Sequence, residues 1–276
     1  NNPNYNLTGN ELNFGISSTA NDKPDAGYEN NIISTSIGTS FEQYKDIYLS
    51  PSLIFTHDDL TVLTGASDNL TKQAGSFTDL SFKYGIFLDK RDRVFMPTDG
   101  FLSNFSQTLP VFADSPSLRN SYSFSKYTSF GKNVVGAFKF YGSAINGFSD
   151  DVRLSKRLNL TQNRLRGFES GKIGPKDGND YVGGNYATAI NLETNLPNLL
   201  PESTKTDIGL FLDFGNVWSV DYSDNIDDSN KIRSSAGINT SWLSPVGPMT
   251  FVISQNLSKA STDSTESFNF RLGTTF

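Results

Sequence analysis

The sequence predicts an all-β chain, an antiparallel transmembrane β-barrel with about twelve strands present. Three observations carry this reading. Apolar and polar side chains alternate with a period of two through segment after segment, as in a sheet with one apolar and one polar face. The segments run roughly 9–12 residues, the length that crosses a bilayer when a strand is tilted. The composition sets only 36% hydrophobic residues beside Phe 22 and Tyr 11, which suits a wall whose alternate residues meet lipid and water. No stretch approaches about 18 uninterrupted apolar residues, so no transmembrane helix is expected.

Residues 1–10 are polar and read as loop. Residues 11–20, with Leu12, Phe14 and Ile16 on one face, form the first strand, and the turn-rich 21–27 ends it. Strands 31–40 and 47–56 follow, joined by the polar 42–46, and a Ser/Gly/Asn-containing loop covers about 59–76. The alternation then sharpens. In 79–89, Leu80, Phe82, Tyr84, Ile86 and Leu88 oppose Asp79, Ser81, Lys83, Gly85 and Asp89. After the charged turn 91–100 come strands 101–109, 121–130 and 134–145, the last with Phe138 and Phe140 opposite Lys139 and Ser143. Beyond a long loop, 147–182, strand 184–194 puts Ile190 and Leu192 opposite Asn191 and Glu193. Strand 207–218 puts Leu210 and Leu212 opposite Asp213. Strands 232–242, 249–257 and 267–276 complete the series, the last with Phe268, Phe270, Leu272 and Phe276 against Ser267, Asn269, Arg271 and Gly273.

Connections sort into a short set (41–45, 90–99, 130–133, 195–205, 244–248) and a long set (21–28, 58–77, 110–119, 147–182, 219–230, 258–266). Outer-membrane barrels distinguish periplasmic turns from extracellular loops in this way, which places 147–182 outside and the C-terminus at the periplasmic face. A soluble sandwich or lipocalin-like barrel shares the alternation, but the long strands and aromatic terminus favour the membrane.

Other chemistry is narrowed by what the chain lacks. Cys 0 removes disulfides and Cys-ligated metals. The single histidine, His57, reads as a solvated residue near a strand end, and a serine triad has no support. The net charge of −6 argues against a nucleic-acid partner. No cofactor and no metal site is expected, and no nucleophile–base pair is visible, so the chain is expected not to be an enzyme.

The strands are organised around residues 164–185, RLRGFESGKIGPKDGNDYVGGN. Glu193 and Asp213 fall on the inward, polar faces of the strands that follow. A carboxylate in a lumen needs a cation, because uncompensated charge is costly away from bulk water. Arg166, beside the conformationally free Gly167, can supply a planar fork to two carboxylates at once. Two readings stand on the charge pattern: the loop folds inward and Arg166 clamps Glu193 and Asp213, or Arg164 and Arg166 are solvated loop charges.

The segment Leu165-Arg166-Gly167-Phe168 resembles the VRGF motif of the BamA superfamily of outer-membrane insertases and translocases, with Leu in place of the usual Val. Ile173-Gly174-Pro175-Lys176, Val182-Gly183-Gly184-Asn185 and Asp213-Phe214-Gly215-Asn216-Val217-Trp218 resemble its continuation. Similar too are Arg233 to Ile238, the stretch Trp242-Leu243-Ser244-Pro245-Val246-Gly247-Pro248 and the turn Pro97-Thr98-Asp99-Gly100. The Phe-rich terminus resembles a β-signal. The resemblance is specific from about residue 77 onward. It implies a roughly sixteen-stranded barrel domain over 1–276, with about four N-terminal strands and the POTRA domains absent and loop 147–182 inside the lumen. It also implies Arg166 paired with Glu193 and Asp213. The implied function is insertion of unfolded β-barrel clients through a lateral seam at 267–276, where Phe268, Phe270, Leu272, Gly273 and Phe276 lie. Partners would be outer-membrane lipids, those clients and accessory periplasmic lipoproteins. A TamA-type assembly factor or a partner-secretion pore is the nearest alternative. A passive porin is more remote, since it gives no reason for the RGF loop.

Overall fold

The computed structural model describes residues 2, 5, 10–94, 96–131, 134–196, 199–201, 204–223, 226, 230–244 and 247–273. Nearly all of the regular structure is one antiparallel sheet. Its strands are β1 (Glu11–Lys23), β2 (Tyr28–Tyr44), β3 (Ile47–Leu49), β4 (Ser52–Val62), β5 (Gly75–Asp89), β6 (Gly100–Ala113), β7 (Ser117–Ser129) and β8 (Val135–Gly147). Two short strands, β9 (Lys176–Asp177) and β10 (Asp180–Tyr181), pair only with each other. The wall resumes with β11 (Tyr186–Leu196), β12 (Thr206–Trp218), β13 (Arg233–Ser244), β14 (Gly247–Ser258) and β15 (Phe268–Leu272).

Each wall strand lies beside its sequence neighbour, and β8 pairs with β11 across the long loop. The sheet has thirteen strands, but β3 and β4 are two stretches of one arm interrupted near Pro51, since both lie between β2 and β5. The described residues therefore make twelve spans, as the alternation predicts. β1 and β15 are the ends of the sheet among the described residues.

The alternation sorts cleanly between two faces. Phe14, Ile16, Phe55, Leu210, Ile253 and Leu272 are all exposed on the outward face. Such a run of apolar side chains is at home in lipid rather than water. Inward positions hold Asp58, Asp79, Asn191, Asp213, Arg233 and Ser235, all buried. The buried apolar core therefore lies in the lumen, where Val152, Leu158, Leu160, Leu165, Phe168 and Ile173 of the loop pack on Ile145, Ala187, Ala189 and Val217 of the wall.

Two expectations are corrected. Connections 21–28 and 110–119 are tight, because their strands continue to Lys23 and Ala113 and resume at Tyr28 and Ser117. Length alone thus fails to separate the two sides of the barrel, since polar residues near a strand end still pair as long as their backbone does. His57 lies within β4, its Nδ1 3.0 Å from Thr78 Oγ1 and its Nε2 3.5 Å from Asp59. It is a wall residue rather than a loop residue. The terminal strand is described as Phe268–Leu272, and Phe276 lies outside the described residues.

In the ten-residue turn between β5 and β6, Asp92 gathers three donors from its far side. Asp92 accepts hydrogen bonds from the Thr98 hydroxyl at 2.7 Å, the Thr98 amide at 2.9 Å and the Asp99 amide at 3.1 Å. The Thr98 hydroxyl, followed by the two amides, holds the carboxyl at about 2 against an ordinary 3.8. Because the folded value is depressed, the Asp92 contribution is complete above the ordinary value and is lost as pH falls through about 2. The Thr98 and Asp99 amide resonances should titrate with a midpoint near that value, and a midpoint near 4 would show the turn unstapled.

Candidate functional site

Register explains why one arginine meets two carboxylates. Across the β11–β12 ladder Asp213 faces Asn191, and Glu193 faces Phe211. The period-2 pleat sends all four side chains inward as neighbours. Arg166 enters this square from the loop. Its Nε lies 2.7 Å from Asp213 Oδ2 and its Nη2 lies 2.6 Å from Asp213 Oδ1, a bidentate fork. The same Nη2 lies 2.8 Å from Glu193 Oε1, and the Arg166 backbone N–H donates to Asp213 Oδ2 at 3.1 Å. Asp213 is 0% exposed. The structure thus places Arg166, Glu193 and Asp213 together, and the alternative of a solvated Arg166 does not hold.

The flanking motif residues fix the approach. Gly167 has φ +87°, and a Cβ there would sit 3.2 Å from Asn256 Nδ2 and from Ser235 Cβ. Asn256 Nδ2 donates to the Gly167 carbonyl at 2.8 Å, and Ser235 Oγ donates to the Arg166 carbonyl. Leu165 and Phe168 are buried in the lumenal core, and Phe168 bridges Thr265 between β14 and β15. Gly184 is required by a close approach, since a Cβ there would lie 2.4 Å from the Trp218 carbonyl oxygen. At the end of the sheet, Phe268, Phe270 and Leu272 point outward and exposed, and Gly273 follows β15 with φ +113°. These residues stand apart from the Arg166 cluster.

Other members of the cluster carried no assigned role in the sequence. Lys139 Nζ lies 2.7 Å from Glu193 Oε2, so Glu193 bridges two cations. Asn191 Nδ2 donates to Asp213 Oδ1 at 2.8 Å and to the Arg164 carbonyl at 2.9 Å. The Arg166 guanidinium carbon lies 3.8 Å from the centre of the Phe211 ring. Phe211 in turn needs Gly237, where a Cβ would come within 2.7 Å of the ring. Parity alone places Lys139, Asn191 and Phe211 inward, but it does not say which of them a loop will reach.

The loop is tied elsewhere too. Arg153 Nη2 lies 2.7 Å from Asp58, and Lys156 Nζ lies 2.6 Å from Asp79. Arg157 pairs with Asp221, whose carboxyl is held below its usual range although burial opposes this, chiefly by the Val152 amide and then by Arg157. Tyr222 and Ser67 both donate to Asp177. Loops from both flanks thus close over the same end of the barrel.

An antiparallel barrel with a lumen-clamped RGF loop defines a class of outer-membrane proteins. The whole chain, residues 1–276, matches the Omp85 superfamily domain, and the chain belongs to that superfamily, in the bacterial outer membrane. It is 25% identical over 263 residues to the outer membrane protein assembly factor BamA of Neorickettsia risticii (strain Illinois), covering 93% of this chain and 35% of that protein. It is 34% identical over 139 residues to the BamA of Neisseria meningitidis serogroup B, covering 41% of this chain and 17% of that protein. The crystal structure of BamA from Haemophilus ducreyi lacking POTRA domains 1–3 has a similar fold, with TM-score 0.85 and 23% identity over 97% of this chain and 59% of that one. CdiB from Acinetobacter baumannii is similar at TM-score 0.60 and 10% identity, covering 95% of this chain and 47% of that one. The chain spans about a third of the length of the first relative and about a sixth of the second.

Proposed function

We propose that this chain is the barrel part of an insertase that folds β-barrel proteins into the bacterial outer membrane, acting by templating strands rather than by covalent chemistry. The observation that carries the reading is the RGF loop clamped to Glu193 and Asp213 inside a barrel whose fold resembles that of BamA. A passive porin has no use for a loop that fills its lumen with apolar side chains.

The seam is assigned to β15. Among the described residues it pairs with Met249 to Ile253 of β14 on one edge. Its other edge carries no strand among the described residues. Unpaired N–H and C=O groups on such an edge recruit another strand by β-augmentation. The outward Phe268, Phe270 and Leu272 would offer an incoming strand an apolar face already at lipid depth. Loop 147–182 lies on the extracellular side in this reading and keeps the lumen shut while the seam works. The partners are unfolded barrel clients, outer-membrane lipids and periplasmic accessory lipoproteins.

The test uses the intact protein in liposomes with an unfolded client barrel. Folded client, read by heat-modifiable gel migration, should accumulate several-fold faster than in protein-free liposomes. These 276 residues contribute Cys 0, so no cysteine of the barrel competes with an introduced one. Leu272→Cys should cross-link to a cysteine in the client's terminal strand, while Leu210→Cys, outward in mid-wall, should not. No acceleration ends the insertase reading, and equal cross-linking at both positions ends the seam.

A further inference from the structure

One groove on the outward face is not explained by strand pairing or by the loop. Register aligns two outward rows across four strands: Lys126, Phe138, Leu192 and Leu212, then Thr128, Gly136, Thr194 and Leu210. Gly136 lacks the side chain its neighbours carry, and a Cβ there would fall 2.6 Å from the Phe130 ring. The result is a hollow of about 510 Å³ floored by Gly136 and walled by Phe130, Phe138, Leu192 and Leu210.

Lys126 lines the same hollow. A lysine on the lipid side of a barrel costs roughly 2–4 kcal/mol at the bilayer midplane and little near the interface. Lys126 is three residues from the end of β7, within reach of the headgroup zone if its stem lies along the apolar wall. Its one ion-pair partner among the described residues is Asp99, at 4.0 Å, the outer limit of such a contact. An apolar trough with a half-satisfied ammonium at one end matches an acyl chain ending in a phosphate.

We propose that this groove is a binding site for one membrane phospholipid, with an acyl chain against Gly136, Leu192 and Leu210 and the phosphate on Lys126. A second outward hollow, of about 360 Å³ near Tyr122, Gly142, Tyr186 and Trp218, has no charged residue in its lining. It lacks the headgroup contact, so acyl chains there exchange freely. The leaflet rests on the orientation proposed above and is the periplasmic one. The site does not depend on client insertion, which is read by a separate assay.

The intact protein, purified in mild detergent and incubated with phosphatidylglycerol or phosphatidylethanolamine vesicles, should retain one phospholipid in native mass spectra. Lys126→Gln should lower that retention about tenfold, and Leu192→Trp, which fills the trough, should abolish it. Leu257→Trp, outward on β14, should leave it unchanged. A phospholipid with a photoactivatable acyl chain should label residues 136–138 and 192–194 of the unaltered protein, whatever the variants do to folding. No retained lipid in the unaltered protein, labelling spread evenly around the wall, or retention in Lys126→Gln and Leu192→Trp equal to that of the unaltered protein would each overturn the proposal.

Discussion

Replacing Asp213 with alanine is expected to cost about 3–5 kcal/mol of stability, the range for breaking one side of a buried ion pair. The effect should be seen as loss of the compact, heat-modifiable form at a lower temperature. Asp213 is fully buried and accepts from the Arg166 amide, both arms of the Arg166 guanidinium and Asn191. Its removal strands the guanidinium on Glu193, which Lys139 already shares. Arg166→Lys is the sharper variant. It keeps the charge but loses the two-point fork and the planar face against Phe211. Most of the stability lost in Arg166→Ala should therefore be lost in Arg166→Lys as well. A lysine variant that melts like the unaltered protein would mean that charge alone holds the loop. In a cycle with Glu193→Ala, the Arg166→Ala double variant should lose less than the sum of the two singles, since both remove the Arg166–Glu193 contact.

The wall was legible because two constraints coincide in each strand. Lipid demands apolar residues outward, the lumen tolerates polar ones, and the pleat alternates them, so Leu210, Leu212 and Asp213 declare their faces in sequence. Parity likewise puts Glu193 and Asp213 on the inward face, and the RGF resemblance points to Arg166. The loop was less readable. Val152, Leu154, Leu158, Leu160, Leu165, Phe168, Ile173 and Val182 are all nearly fully buried, yet they follow no period of 2 or 3.6. A loop packing inside a barrel answers to the shape of the lumen, so its apolar residues look scattered among polar ones. Strand ends are hard to read in the sequence for a related reason. Polar tips such as Asn21 to Lys23 stay in register because the ladder is made by backbone groups, whatever side chains they carry.

The second attachment of the loop leads to the other large effect. Asp58 faces Phe77 across the β4–β5 ladder. The Arg153 guanidinium carbon sits 3.4 Å from the Phe77 ring centre while its Nη2 holds Asp58 at 2.7 Å. Ser155 and Asn30 donate to the same carboxylate, each at 2.7 Å. Between this anchor and the one on β11–β12 lie β6, β7 and β8, so the loop ties two separate parts of the wall. Asp58→Ala leaves Arg153 buried without its ion-pair partner, and among the described residues its Nε and Nη1 have no hydrogen-bond partner to fall back on. A loss of about 3–5 kcal/mol is again expected, but with a different local consequence. Residues 147–160 should become open to proteolysis from the loop side, while Arg166 continues to hold the second half. Liposomes carrying the variant should also leak small solutes faster. The two anchors share no residue, so Asp58→Ala and Asp213→Ala should add to within about 0.5 kcal/mol. Strong coupling between them would instead mean that the loop enters and leaves the lumen as a single rigid plug, and unchanged proteolysis and leakage would reduce the Asp58 anchor to an incidental contact.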